Sequence, residues 1–191
     1  MAKKLFYTIS TTGLNPYRYS IHKFTGVLEV DGKICDYVEM NIKPNPKGLI
    51  DKPTLIRNGV TEEEIKIGSD LYIAHDTLVS ELDLFIDKFN RKDKAFLIGW
   101  DNRRLDDLFF QAWFQQVEDP YFFSWFWPSS IDVSVLATQK LIQKVDSVGD
   151  LTIQNVANAL SIESKDSIDP DKDPTYKVDL IMAIYKNLEN R

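Results

Sequence analysis

The sequence predicts an α/β protein: a mixed sheet with helices packed on it. Three observations carry that expectation. The first 42 residues hold three β-rich stretches, the later half holds helical patterns, and a short apolar run at Ala95-Phe96-Leu97-Ile98 interrupts them. Strands first, followed by helices alternating with further strands, describe a sheet covered by helices rather than a bundle or a sandwich.

Leu5 to Ser10 reads as a short apolar strand that runs into a hydroxyl-rich turn, Thr11-Thr12-Gly13-Leu14-Asn15-Pro16. Gly13 and Pro16 punctuate the turn, glycine because it tolerates positive φ and proline because it fixes φ and lacks an amide donor. Ile21 to Val30 is a second strand, and Asp31-Gly32 is a strong two-residue hairpin signal leading into a third, Lys33 to Ile42. Lys43-Pro44-Asn45-Pro46 ends the meander.

Thr61 with Glu64 three residues on forms a capping box and predicts a short helix. A longer helix is expected from Ser69 to Asn90, with Leu71, Leu78, Leu82, Phe85 and Phe89 on one face. The apolar run at 95–98 is a buried strand, parallel to the first. Helices are then expected over Leu105–Phe114, Val133–Val145 with Asp132 as its cap, Ile153–Leu160 with Thr152 as its cap, and Thr175–Asn190. The segment from Ser161 to Pro174 is polar, rich in aspartate and read as a mobile loop. Tyr121 to Trp127 is the most aromatic stretch; such a cluster beside a sheet serves the core more often than it stacks bases.

With 191 residues, 43% hydrophobic and 12% aromatic, the chain is expected to form one ordinary globular domain over 1–191. A single cysteine, Cys35, excludes an internal disulfide, and no apolar run reaches membrane-spanning length. A cytoplasmic location is the default expectation. The net charge of −6 and pI near 5.0 argue against broad electrostatic binding to duplex nucleic acid. They do not exclude a nuclease, because an acidic metal site places a cation between protein and phosphate.

Three separated motifs carry a resemblance. Thr11-Thr12-Gly13-Leu14-Asn15-Pro16 after the first strand resembles the opening motif of the DEDD 3′–5′ exonucleases, the proofreading-subunit and ribonuclease-T group. Gly99-Trp100-Asp101-Asn102-Arg103-Arg104-Leu105-Asp106-Asp107 is similar to that family's second motif, and Ser130-Ile131-Asp132-Val133 to a structural one. Asp179 near the start of the last helix is similar to its third. The resemblance implies a ribonuclease-H-like mixed five-stranded sheet with helices on both faces, with Mg²⁺ or Mn²⁺ as cofactor and single-stranded nucleic acid as partner.

Residue by residue, the resemblance puts Asp106 and Asp179 at two of four metal carboxylates. It puts Thr8 and Ser10 at the other two, and Pro174 where a general-base histidine would stand. Neutral hydroxyls cannot replace two negative charges in a two-ion cage, and the loss of a general base removes a factor of about 10²–10⁴ in rate. The metal is therefore expected to bind weakly or not at all. Thr11, Thr12, Gly13, Trp100, Arg103 and Arg104 are the candidate nucleic-acid contacts; His22 and His75 match no catalytic position, His22 being expected in a strand and His75 on the polar face of a helix.

Plain structural roles stand beside these: Asp106 and Asp179 as helix-terminal acids, Thr11-Thr12-Gly13 as a simple turn, the two arginines as a solvated face. Three functions follow. One is a catalytically impaired exonuclease-fold protein that retains weak single-strand binding. The second is an active nuclease in which Asp106 and Asp179, with Asp101 or Asp107, hold one metal. The third is a protein-interaction module on the same fold. Oligomeric state is open.

Overall fold

The computed structural model describes residues 2–165 and 167–189. Strand β1 (Lys3–Thr11) is central. It pairs antiparallel with β2 (Ile21–Val30), which pairs antiparallel with β3 (Lys33–Asn41), and parallel with β4 (Ala95–Gly99); β5 (Ile131–Asp132) adds parallel to β4. The order β3-β2-β1-β4-β5 is the mixed five-stranded sheet expected. Asp31 and Gly32 both adopt positive φ, 49° and 81°, the geometry that turns β2 tightly into β3.

The helices are α1 (Lys52–Asn58), α2 (Leu71–Asp83), α3 (Asp106–Gln116), α4 (Phe122–Trp125), α5 (Val133–Leu141), α6 (Val145–Val148), α7 (Ile153–Ala159) and α8 (Pro174–Glu189). Alternation along β1 decides which core each side chain joins. Leu5, Tyr7 and Ile9 face an aromatic core built with α2, α3 and α4, where Phe24, Phe110, Trp113 and Phe126 pack ring against ring. Phe6, with Val27 and Ile98, faces a mainly aliphatic core built with α5, α7 and α8. Phe122, Trp125 and Phe126 of the aromatic stretch are buried here, so their burden is packing. Thr8 and Ser10 alternate onto the α8 side.

Several elements depart from expectation. The helix foreseen to Asn90 stops at Asp83, and Phe89 is 86% exposed. The side chains of Asp87 and Asn90 accept from the amides of Phe89 and Lys92, and Lys3 Nζ takes the Phe85 carbonyl and Asp93. These local bonds compete with the helical ladder and win. The capping box forms as foreseen, Thr61 N to Glu64 Oε2 at 2.7 Å and Glu64 N to Thr61 Oγ1 at 3.2 Å, but it opens only a 3₁₀ turn, Glu64–Ile67. The helix expected to Val145 ends at Leu141 and continues as a 3₁₀ turn before α6. Asn190, the foreseen end of α8, lies outside the described residues. Helix α1, which lacks an apolar stripe, was not anticipated. Among the described residues no helix is long and apolar enough to cross a membrane.

Candidate functional site

The β1–β4 pairing ends at Phe6 and Ile98. Beyond it the strands part, and a cleft of about 380 Å³ opens at their carboxyl ends. That is where ligands settle in open α/β sheets. Thr8, Ser10 and Thr11 form the floor, with Asp106 beside them. Trp100, Asp101 and Leu105 come from the loop after β4, Arg57 and Asn58 from the end of α1, and Pro174 and Lys177 from the first turn of α8.

Asp106 opens α3 and is 8% exposed. Its Oδ2 accepts from Thr8 Oγ1 at 3.2 Å and from the Ile9 amide at 3.3 Å. Burial pushes its carboxyl up to about 7, against the opposing pull of the nearby Lys177 ammonium and these two donors. Asp107, next in sequence, turns the other way. The Tyr7 hydroxyl and Asn102 Nδ2 (3.0 Å) donate to its Oδ1, and Ser130 Oγ donates to Oδ2 at 2.5 Å. Burial and the two neighbouring aspartates hold the Tyr7 phenol well above its usual range. Asp132 accepts from the amides of Asp101 and Ser134, both at 3.0 Å, fastening the β4 loop to the start of α5.

The cleft thus gathers Thr8, Ser10, Thr11, Trp100, Asp101, Asp106 and Pro174 of the residues singled out by sequence. It does not gather Asp179. That residue is exposed, and on a helix it lies roughly 200° around from Lys177, which does reach the cleft. Burial, together with Asp173, raises the Asp179 carboxyl, while Lys165 opposes. Arg103 and Arg104 are also exposed and outside the lining; Arg104 Nη1 sits 3.4 Å from Asp101 Oδ2. Thr12 is fully buried with its polar atoms engaged: its amide donates to Ser20 O, its hydroxyl to Leu49 O, and its carbonyl accepts from Asp51 N. Gly13 does not adopt positive φ. A Cβ there would meet the Tyr19 ring at 2.3 Å, so room rather than φ requires glycine.

Sequence reading missed Arg57, Asn58 and Lys177. Asn58 Nδ2 donates to Thr11 O at 2.9 Å and faces His22 Nε2 at 3.1 Å. His22 is buried, and burial with the adjacent Lys23 lowers its pKa to about 4. His75, expected on a polar helix face, is buried instead, its ring against Trp113 and Phe114 and its Nε2 3.1 Å from Asp119. Lys177 Nζ lies 2.9 Å from Asp171 Oδ1.

No protein-family model matches the sequence, and a comparison with curated proteins finds no match. Solved structures do match, over 100% of this chain. The zinc-bound complex of E. coli exonuclease I with single-stranded DNA aligns with a TM-score of 0.78 at 16% identity. The E. coli enzyme with a dA16 oligonucleotide gives 0.77 at 15%, and a product-bound exonuclease I gives 0.73 at 16%. The fold is that of the exonuclease domain of exonuclease I. This chain spans 41% of the first two and 44% of the third.

The resemblance of the sequence motifs implies a metal held at this cleft. Among the described residues no group of three or more His, Cys, Asp or Glu side chains is placed to hold one. Of the three carboxylates that line the cleft, Asp106 is already bonded through Oδ2, Asp101 is paired with Arg104 and Asp171 with Lys177, and the rest of the polar lining is hydroxyls and cations, which does not fit the hard anionic cage that Mg²⁺ favours.

Proposed function

We propose that this chain is a binding domain on the exonuclease I fold, which holds a single-stranded nucleic-acid end in the cleft without cleaving it. The observation that carries this reading is the composition of the cleft: neutral Thr8 and Ser10 and the cation Lys177 stand with Asp106, and the other two lining carboxylates, Asp101 and Asp171, are each paired with a cation. Phosphodiester hydrolysis by two ions needs a cage that holds them about 3.5–4 Å apart. A cleft with this donor set lacks that cage and keeps the shape. The single-metal alternative has less to draw on, since Asp107 is tied through both oxygens, Asp179 is outside the lining, and Asp101, which does line the cleft, is paired with Arg104. The complexes of exonuclease I with single-stranded DNA support the ligand class.

The test is a labelled oligonucleotide followed by anisotropy and by gel, with Mg²⁺ or Mn²⁺ present. Binding without shortening is the expected result. Metal-dependent shortening that Asp106→Ala abolishes would establish a nuclease with an unusual site. Neither binding nor shortening would leave the cleft to a protein partner.

A further inference from the structure

We infer that the resident cation of this cleft is the Lys177 ammonium, which keeps a divalent metal away from Asp106 and takes a phosphate oxygen of the bound strand directly. For its ligand this rests on the binding reading above; for the exclusion of metal it does not.

Lys177 stands in the first turn of α8, where the helix dipole disfavours a positive charge, so helix stability does not account for it. Its side chain is only 20% exposed and reaches the cleft together with Asp106. The ammonium is close enough to act on the Asp106 carboxyl, opposing the effect of burial. A divalent ion seated on Asp106 would face that ammonium within the same cleft, where like charges repel. Among the described residues no group of three or more His, Cys, Asp or Glu side chains is placed to compensate.

The same set suits a phosphate. The Ser10 hydroxyl can donate to an anionic oxygen, and that of Thr8 can once it leaves Asp106 Oδ2, whereas carboxylates there would repel it unless a metal intervened. Arg57 adds a second cation to the lining; it is exposed and has no ion-pair partner among the described residues. Lys177 need only leave Asp171, a carboxylate 56% exposed that water can take back at little cost.

Two measurements test this independently. Mn²⁺ titration by calorimetry compares Thr8→Asp/Ser10→Glu with the same pair plus Lys177→Asp. The triple variant is expected to bind Mn²⁺ at least about tenfold more tightly than the double; equal affinities would overturn the exclusion. Should the triple variant not fold, Lys177→Gln decides through oligo(dT) binding. Wild type is expected to bind equally in EDTA and in Mg²⁺. Lys177→Gln is expected to bind about tenfold more weakly, with a salt slope smaller by about 0.7. Binding that requires metal, or a variant that binds as wild type does, would overturn the inference. Absence of binding under every condition would overturn the single-strand reading and the phosphate contact together, while the Mn²⁺ titration still reports on Lys177 alone.

Discussion

Asp106 and Asp107 are neighbours at the start of one helix, 8% and 9% exposed, yet they occupy opposite chemical settings. Asp107 has three donors shared between its two oxygens. Asp106 has two long bonds, both on Oδ2, and a carboxyl pushed up to about 7 by burial. The pair teaches that burial does not fix a carboxylate's role; its donors do. The aspartate with a full set is a structural post joining β1, the β4 loop and the approach to β5. The one with a partial set is open to whatever enters the cleft.

The contrast breaks most visibly by truncation. Asp107→Ala leaves the Tyr7 hydroxyl, Asn102 and Ser130 without their acceptor in the interior. It is expected to cost about 4 kcal/mol in urea unfolding. Asp106→Ala at neutral pH is expected to change stability by less than about 1 kcal/mol, because the charge it removes is one the fold holds poorly. Equal losses would mean that the two acids carry the same structural load.

How far this was legible in the sequence varies by element. The meander was, because β2 and β3 flank an Asp-Gly turn whose residues both take positive φ. Caps located α7 at Thr152 and α5 at Asp132, whose side chains accept from Asn155 N and Ser134 N. Helix α1 buries only Thr54 and Leu55 and so lacks an apolar stripe. The usable signals were its ends: Asp51 as cap, Pro53 in the first turn, and Gly59 at φ 71°. Missing it concealed Arg57 and Asn58. For α8 the helix was readable but its rotation was not. Whether Lys177 or Asp179 turns to the cleft depends on packing against β1 and α7, which local pattern does not encode. His75 failed for the same reason, since Trp113, Phe114 and Asp119 bury it from elsewhere in the chain.

His22 sharpens the comparison from the far side of Asn58. Its folded pKa of about 4 lies below the ordinary 6.5, so its contribution is fully present above 6.5 and is lost as pH falls toward 4. At about 1.36 kcal/mol per pKa unit the loss reaches about 3 kcal/mol. Protonation would also put a hydrogen on the Nε2 that faces the Asn58 amide. His22→Gln, whose carbonyl can still accept from Asn58, is expected to flatten the acid limb between pH 7 and 4.5 in denaturant melts. An unchanged limb would assign acid sensitivity to other groups.

Asp106 carries the opposite sign and the smaller effect. Its folded pKa lies above the ordinary 3.8, so the native state holds a proton that the unfolded chain releases between about 3.8 and 7. Stability from this group is complete below that window and falls as pH rises through it. The full displacement corresponds to about 4 kcal/mol, and water in the open cleft screens the charge enough that about 2 kcal/mol is expected in practice. Asp106→Asn keeps an acceptor for Thr8 and Ile9 while removing the charge. The variant should match wild type at pH 4.5 and exceed it by about 2 kcal/mol at pH 8. Adding Lys177→Gln to wild type should steepen the decline with pH, because the ammonium no longer offsets burial. If Asp106→Asn gains nothing at pH 8, the carboxylate is not strained there. Asp106 would then resemble Asp107, a fully satisfied acid, and the cleft would have to find its ligand through Arg57 and Lys177 alone.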